Sequence, residues 1–394
     1  MTLSVRPKVY SLPSYSLTGD LLGYLRCGLQ YRYQRIGKLP AARPIQQWFG
    51  EFIHGVLEEA FRRYRDSVAR GTPSLPPWNE PELDDIKQLI KARLGARGLY
   101  AWSPDDEARG DARATVAVQE LGPHLFPLIH RAEVRLTGAR FLPPIQPALK
   151  FREADRYEMV GVVDVVTHVE LDDPAYSNNP IVEALKRGLG PNLPTKFEVI
   201  LDYKGMRRPP VPTPGAPNSL WTQYEWQLQT YGELRRTQPD ALNVVAGVLV
   251  YVNELDPTRS DLERLRSEIA KGTTDVPPPS GSAADGALRG WKTRDKNLPI
   301  LPFEFRLARA LRVVPITPAS IANALQSFDG VVKEIETCRG QEVHGAPVLQ
   351  AWTKNSSEEQ TCVVCDSRTF CPDYQAKYAH KHGETRPRLP AVKI

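Results

Sequence analysis

The sequence has little cysteine and no long hydrophobic run, and both shortages exclude classes of protein. Five cysteines among 394 residues form a small, odd set, which argues against a disulfide scaffold and favours metal or cluster chemistry. The longest strongly apolar run, residues 244–252, is far too short to cross a bilayer. The N-terminal segment also lacks an apolar core of signal-peptide length. We therefore expect a soluble, cytoplasmic protein with no membrane-spanning helix.

A nucleotide-driven motor is not indicated either. The chain contains no G-x-x-x-x-G-K-[ST] segment, the loop that cradles nucleotide phosphates in such motors. Hydrophobic residues make up 41% of the chain and the net charge is +5. These values indicate a globular core and a mildly basic surface, which is compatible with a polyanionic partner.

The pattern of apolar residues predicts an α/β fold, with a mixed central sheet flanked by helices. We predict one domain in three parts: a helical part over 14–130, a sheet core over 131–255 and a helical part over 256–394. Helices are expected at 18–36, 44–70, 82–98, 105–130, 221–237 and 318–338, with one helical turn near 181–188. Strands are expected at 132–136, 148–153, 157–171, 198–204 and 243–255. Loops are expected at 206–219, which is rich in proline, and at 274–286, which we expect to be a flexible connector.

Two charged residues end one of the predicted buried strands. Asp202 and Lys204 follow the apolar run of EVILDYKG, residues 198–205, and alternation places them on the same face. Asp164 lies inside a second apolar strand, GVVDVV, where a charge is costly unless it is paired or binds a metal. Carboxylates on adjacent strands form an oxygen-rich site for Mg²⁺ or Mn²⁺. The alternative interpretation is a structural Asp–Lys salt bridge.

The order of these motifs resembles the PD-(D/E)xK nuclease signature, and in particular the RecB/AddB-type nuclease module. GEFIHGVLEEAF is similar to the G-x₃-H segment of that branch, HRAEVRL to its first core strand, and QLQTY to its QxxxY motif. The resemblance spans roughly residues 14–378. It implies a restriction-endonuclease-like fold and assigns a role to each matching position. By resemblance the metal is held by His54, Asp164, Asp202 and the Tyr203 carbonyl, and the catalytic residues are Asp164, Asp202, Lys204, Glu133, Gln227 and Tyr231.

A cluster of thiols lies near the C-terminus. Cys362, Cys365 and Cys371 have C-x₂-C-x₅-C spacing and need a fourth ligand to complete a tetrahedral or cubane site. Cys27 and Cys338 are the candidates. The resemblance favours Cys27, because iron–sulphur members of the branch join one N-terminal cysteine to three C-terminal ones around a [4Fe–4S] cluster. Such a cluster is expected to join the helical N- and C-terminal extensions, and Zn²⁺ remains the alternative.

Three departures from the family pattern are visible. The metal-binding strands are separated by an insertion, residues 172–195, where the family often has a hairpin. Cys27 is followed by glycine instead of proline, and Lys204 by Gly-Met instead of Thr-Gly. Arg207 and Arg208 lie at the start of the proline-rich loop. We expect this segment to be a solvated basic loop; the alternative is that the two arginines contact phosphate.

The resemblance implies a Mg²⁺- or Mn²⁺-dependent deoxyribonuclease, in particular an exonuclease acting on single-stranded DNA or DNA ends. Related proteins serve DNA repair, recombination or CRISPR-type defence, so a separate helicase or repair proteins are expected partners. Aromatic residues of the QxxxY helix are candidates for stacking on unpaired bases: Trp221, Tyr224 and Trp226. Two other functions stay open: a non-catalytic DNA-binding subunit of a larger complex held together by four cysteines, and a zinc-stabilised nucleic-acid-binding protein.

Overall fold

The computed structural model describes residues 12–39, 45–212 and 219–383. In the described part of the chain, a six-stranded mixed sheet is flanked by helices, which confirms the predicted α/β class. None of the helices in these ranges combines the length and hydropathy needed to span a bilayer.

Two compact units divide the chain, and each is built from separated stretches. The described residues of the first unit are 12–39, 137–161 and 322–383, and those of the second are 45–136, 162–212 and 219–321. Strands β2 and β3 each contribute residues to both units. The strands are β1 Ser14–Ser16, β2 Ile129–Phe141, β3 Arg156–Glu170, β4 Lys196–Lys204, β5 Val244–Tyr251 and β6 Leu311–Pro315.

The helices confirm most of the predicted positions. The longer ones are α3 Ile45–Ala69, α4 Glu80–Ala96, α5 Pro104–Val116, α7 Pro180–Leu189, α8 Leu220–Arg236, α9 Arg259–Lys271, α10 Ala283–Gly290, α11 Phe303–Ala310 and α12 Pro318–Val343. The short ones are α1 Leu22–Arg26, α2 Gly28–Tyr31, α6 Gly122–Leu125, α13 Val348–Ala351, α14 Glu359–Val363 and α15 Pro372–Lys377.

The centre of the sheet consists of β4 and β5, which pair in parallel from Val199–Ala246 to Lys204–Tyr251. Both strands are almost completely buried and mostly apolar, as central strands covered by helices must be, with Glu198 and Asp202 as buried charged residues of β4. β3 pairs antiparallel with β4, and β6 pairs antiparallel with β5. β1 pairs in parallel with β3, and β2 also pairs with β3.

Helix α8 lies directly against β5 because a glycine faces it. A Cβ atom at Gly247 would come within 2.7 Å of Leu228, a distance that side-chain carbons do not tolerate. Glycine at this position therefore lets the helix and the sheet approach closely. The consequence is that the polar face of α8 is held against the end of β4.

Several predictions of local structure were wrong, each for a physical reason. Residues 148–153 are not a strand: Pro147–Leu149 form a 3₁₀ turn, and Arg152 is buried in an ion pair with Glu336. The connector over 274–286 is not purely flexible, since α10 begins within it and packs Leu288 against Trp291 and Leu265. β6 was not anticipated. Within the insertion, α7 confirms the predicted helical turn and buries Ile181, Val182 and Leu185.

Candidate active site and metal centre

The end of β4 carries the ion pair that its sequence spacing predicted. The Lys204 ammonium contacts the carboxylate of Asp202, and their side chains are only 14% and 5% exposed. The ammonium also donates to Oε1 of Gln227 at 2.9 Å and lies 4.3 Å from the centre of the Tyr224 ring. Lys204 is therefore held on three sides and cannot sample many rotamers.

Gln227 connects the two charged groups from helix α8. Its Nε2 donates to Oδ1 of Asp202 at 2.8 Å and to the Tyr231 hydroxyl at 3.3 Å. The i, i+4 spacing of Gln227 and Tyr231 puts both side chains on one helix face, as the sequence predicted. The QxxxY pair thus lies beside the strand end that carries Asp202 and Lys204.

Asp164 lies where β3 and β4 stop pairing. The last paired residues are Val165 and Leu201, so Asp164 and Asp202 are the next residues on the two strands. The backbone N–H of Tyr203 donates to Oδ2 of Asp164 at 2.7 Å. This bond fixes one carboxylate oxygen and leaves the other facing the cavity described below.

His54 reaches the same place from helix α3. Its Nε2 lies 2.9 Å from the Tyr203 carbonyl oxygen, and its Nδ1 lies 3.4 Å from Oδ1 of Asp164. Neighbouring ligands of an octahedral ion with bonds of about 2.1 Å are separated by about 3.0 Å. Only one nitrogen of an imidazole can bind a given ion, and the 3.4 Å between Nδ1 and Oδ1 of Asp164 is close to this separation. His54 and Asp164 are therefore placed to share a Mg²⁺ or Mn²⁺ ion, while Nε2 is hydrogen-bonded to the Tyr203 carbonyl.

Glu133 joins this group through an unusual backbone conformation. Its φ is 51°, a left-handed value that is costly for a residue with a side chain and is concentrated at functional sites. Among the described residues, one group of three or more His, Cys, Asp or Glu side chains has all its ligand atoms within 4.8 Å of one another: His54, Glu133 and Asp164. The left-handed backbone at this position of β2 thus accompanies a Glu133 side chain that lies close to the Asp164 carboxylate of β3.

The charges of these groups are strongly coupled. Burial alone lowers the pKa of His54, but the carboxylates of Asp164 and Asp202 outweigh it and raise that pKa to about 9. Desolvation, together with Asp164, raises the pKa of Glu133 to about 7. Burial also raises the pKa of Asp202, against the opposing effect of Lys204. This concentration of carboxylates attracts cations, and a divalent ion would relieve their mutual repulsion.

A cavity of about 530 Å³ opens onto His54, Glu133 and Asp164, but Asp202 and Lys204 do not line it. Its lining adds four charged residues that the sequence motifs do not include: Glu51, Glu58, Arg93 and Arg97. Glu58 follows His54 by one helical turn, a spacing that the sequence does contain. Arg93 lies in α4 and Arg97 directly follows it, and the position of α4 beside α3 has no local sequence signal.

The thiols occupy the other unit. Cys27, Cys362, Cys365 and Cys371 line a common small cavity, whereas Cys338 is buried with its sulfur 3.6 Å from the Tyr24 hydroxyl. Four ligands around zinc at about 2.3 Å would bring the sulfur atoms to about 3.8 Å from one another. No three of these sulfur atoms fall within 4.8 Å of one another, so the described thiols are spaced more widely than a single zinc ion requires.

Cys27 also interrupts the helix predicted over 18–36. Its backbone is extended, with φ −167° and ψ 112°, between α1 and α2. The carbonyl of Thr353 accepts the N–H of Leu29 at 2.8 Å and so satisfies a backbone group at the break. The prediction of one continuous helix was therefore wrong at the cysteine.

The arginines after β4 do not form a solvated loop. Arg208 is 4% exposed; it donates to Asp275 at 2.8 Å and to the carbonyl oxygens of Arg309 and Leu311 at 3.0 and 2.9 Å. Arg207 donates to Glu268 at 2.8 Å. The prediction of a solvated basic loop was wrong, because both guanidiniums have buried or half-buried partners. Residues 213–218 of the proline-rich loop lie outside the described residues.

Two aromatic residues of the QxxxY helix already have cationic neighbours. The Arg312 guanidinium lies 3.3 Å from the centre of the Trp221 ring, and Lys204 covers Tyr224. One face of each ring is therefore occupied, and stacking of these residues on bases stays a prediction.

The fold and the site define a class of protein: an α/β protein with a carboxylate and lysine site, suited to a divalent metal, at the end of its central strands. Residues 19–172 match the family model of the PD-(D/E)XK nuclease superfamily, which indicates a metal-dependent nuclease. The match includes His54, Glu133 and Asp164 and ends before Asp202. Among curated proteins, no match to the chain was found.

Proposed function

We propose that the protein is a Mg²⁺- or Mn²⁺-dependent deoxyribonuclease that hydrolyses phosphodiester bonds at the end of β4. One observation carries this proposal: Lys204 is fixed beside Asp202 by Gln227, next to the group of His54, Glu133 and Asp164. A structural salt bridge needs only a partner of opposite charge. It does not account for three further ligand side chains around the same strand end.

The metal would be held by Asp164, Asp202, His54 and the Tyr203 carbonyl. When bound, such an ion activates a water molecule and neutralises charge that develops on the phosphate. The 3.4 Å between Nδ1 of His54 and Oδ1 of Asp164 supports these two residues as ligands, and the resemblance supplies Asp202 and the Tyr203 carbonyl. Glu133, on the far side of Asp164, would act directly or through a water molecule.

The protein's own groups would position the reactants. Lys204 is the one cation that contacts Asp202 among the described residues, so it is placed to orient the attacking water and to hold the phosphate. Gln227 keeps the ammonium and the carboxylate at a fixed separation. Tyr231 supports the amide of Gln227 and would also face the bound strand.

We further propose an exonuclease of the RecB/AddB branch that acts on single-stranded DNA or DNA ends, in repair, recombination or CRISPR-type defence. The G-x₃-H and QxxxY residues, which distinguish this branch in the sequence, contact Tyr203 and Asp202 in the fold. A separate helicase is an expected partner, because the chain has no nucleotide-binding loop of its own.

A [4Fe–4S] cluster held by Cys27, Cys362, Cys365 and Cys371 is part of the same proposal. The four thiols line a common cavity, which supports a shared metal group, and the resemblance favours a cluster over Zn²⁺. When bound, the cluster would cross-link segments that are distant in sequence. No redox step in hydrolysis is needed.

The nuclease proposal is tested with a pair of lysines from one strand. Lys204 ends β4, and Lys196 begins it, 52% exposed and paired with Glu170. With labelled single-stranded DNA and Mn²⁺, we expect the parent protein and Lys196→Ala to degrade the substrate at similar rates. Lys204→Ala should be slower by about 100-fold or more, and a chelator should stop all three.

Two outcomes reject the proposal. The first is degradation by Lys204→Ala at the parental rate. The second is DNA binding without metal-dependent cleavage by the parent protein, which would favour a non-catalytic DNA-binding subunit instead.

A further inference from the structure

A second cavity, of about 450 Å³, lies beside the first turns of α3. Its lining combines aromatic rings, two arginines, one carboxylate and the glycine that follows β4: Trp48, Phe49, Trp102, Asp106, Arg109, Arg113 and Gly205. Cavities of this size are typical of small-molecule and nucleotide sites. None of these residues belongs to the carboxylate and lysine site.

The aromatic cavity adjoins the active site along two chain segments. Gly205 is bonded to Lys204, and Phe49 precedes His54 by five residues on α3, about 8 Å along the helix axis. A Cβ atom at Gly205 would lie 3.2 Å from Phe49 and 3.4 Å from the Cα of Gly50. Gly50 lines the active-site cavity, so residues that line the two cavities are in contact where β4 ends against α3.

The two tryptophans of the aromatic cavity differ in exposure to solvent. Trp48 is 4% exposed and stacks on Phe52 with ring centres 4.9 Å apart and an interplanar angle of 7°. Trp102 is 70% exposed, in the loop before α5. A large indole left in solvent at the mouth of a cavity is not explained by core packing. It is a surface on which a flat ring can stack.

The polar groups of the lining favour an anion. The Arg113 side chain is 6% exposed, forms an ion pair with Asp261 at 3.0 Å, and lies 5.5 Å from the centre of the Phe49 ring. Arg109 is 48% exposed and lies 3.3 Å from Asp106. Each guanidinium thus has a carboxylate partner, and the more exposed one, of Arg109, can also reach a phosphate.

We propose that this aromatic cavity binds an unpaired nucleobase of the DNA strand, stacked on Trp102, with its phosphate near Arg109. The inference rests on the proposed nuclease function and names its substrate: a strand with at least one unpaired nucleotide next to the cleaved bond. A base inside a duplex has both faces covered and cannot stack on Trp102. Stacking accepts every base, so little sequence preference is expected.

The test uses two exposed aromatic residues of the same loop. Tyr100 is 69% exposed, but its hydroxyl donates to the carbonyl of Gly95 and it does not line the cavity. Binding of a labelled single-stranded oligonucleotide is measured with chelator in the Lys204→Ala background, and KM is measured in the parental background. Trp102→Ala should weaken binding and raise KM by about 5- to 150-fold, the usual effect of losing one base stack. Tyr100→Ala should change both by less than twofold.

A scan of abasic positions locates the stacked base. In the parent protein, an abasic site at one position near the cleaved bond should weaken binding as much as the Trp102→Ala substitution does. In Trp102→Ala the same abasic position should have no further effect. Any of three results overturns the proposal. These are a scan in which no abasic position weakens binding, an unchanged affinity in Trp102→Ala, and a loss of affinity in Tyr100→Ala equal to that in Trp102→Ala.

The outcomes also separate this inference from the nuclease proposal. If the protein cleaves DNA in a metal-dependent way but no abasic position weakens binding, only the proposal for the aromatic cavity is rejected. Binding that depends on Trp102 without cleavage by the parent protein supports the cavity as a strand-binding site and rejects the nuclease. Absence of both DNA binding and cleavage rejects both.

Discussion

At the residue scale, Gln227 is the side chain on which the site depends most for its geometry. It accepts from Lys204 and donates to Asp202 at almost equal distances, 2.9 and 2.8 Å. Both charged groups are largely withdrawn from water, so their positions are set by their partners and not by solvent. Outer partners of this kind orient the groups that perform the chemistry.

We predict that Gln227→Ala lowers nuclease activity by about 10- to 100-fold, the usual effect of removing an orienting partner. Asp202 loses a donor, and Lys204 gains rotational freedom. Single-turnover cleavage measures the loss, and thermal unfolding shows whether the fold is kept. Gln229→Ala, two residues further and on another helix face, should retain activity. Equal activity in the two variants contradicts the positioning role.

The sequence allowed some of these residues to be predicted, for clear reasons. Asp164, Asp202 and Lys204 interrupt apolar strands, and a charge in such a place needs an explanation. The direction of Glu133 was not predictable, since its φ of 51° follows from tertiary contacts and not from local propensity. The burial of Arg208 could not be predicted from local sequence either, because its partner Asp275 is distant in sequence.

At the element scale, helix α8 is fixed to β4 by a buried ion pair as well as by apolar contacts. Arg235 donates through two nitrogens to the carboxylate of Glu198, at 2.8 Å each, and the two side chains are 1% and 0% exposed. Arg235 also donates to Asp240 at 2.9 Å. Without Arg235, the buried Glu198 would keep His168, 2.8 Å away, as a side-chain partner, and loss of one partner of a buried ion pair is strongly destabilising.

We predict that Arg235→Ala lowers the free energy of unfolding by about 3–5 kcal/mol, because Glu198 would remain buried without a bidentate partner. Chemical denaturation measures the change. The matched control is the next residue: Arg236 is 42% exposed and 3.7 Å from Glu233, and its replacement by alanine should cost about 1 kcal/mol or less. Similar values for the two variants would show that the buried pair does not stabilise the attachment of α8.

Elements were predictable where burial gives a strong pattern. The strands of the sheet centre, β4 and β5, are short apolar runs, and α3 has a regular apolar stripe. β6 has five residues and too little pattern of its own; it forms because β5 offers a free edge. The strand predicted at 148–153 is absent because the alternation there does not reflect the pleat of a strand. It reflects the burial of Arg152 in its ion pair.

At the scale of the whole molecule, the two compact units are interleaved in sequence. The described residues of the first unit come from three stretches of the chain. Those of the second unit come from two stretches, 45–136 and 162–321, the latter without residues 213–218. Contacts of Tyr15 and Arg152 with Glu336 lie within the first unit, although the three residues are far apart along the chain. Sequence order cannot reveal such a division, and the single-domain organisation in three parts stays a prediction.

We predict that the protein, purified without oxygen, contains about four iron and four sulfide ions per chain and absorbs broadly in the visible range. Cys27→Ser should lose iron and lower the melting temperature. Cys338→Ser should retain the iron, because Cys338 contacts Tyr24 and does not line the thiol cavity. Metal analysis and visible absorption provide the measurement. A colourless protein with one zinc per chain contradicts the cluster.

The central claim is that the end of β4 is a metal-dependent nuclease site, and Asp202→Asn tests it most directly. The substitution keeps the shape of the side chain and removes its charge, so it separates chemistry from packing. We predict that the parent protein degrades single-stranded DNA in Mn²⁺ and that Asp202→Asn, still folded by circular dichroism, is slower by about 100-fold or more. Degradation by Asp202→Asn at the parental rate would contradict the account.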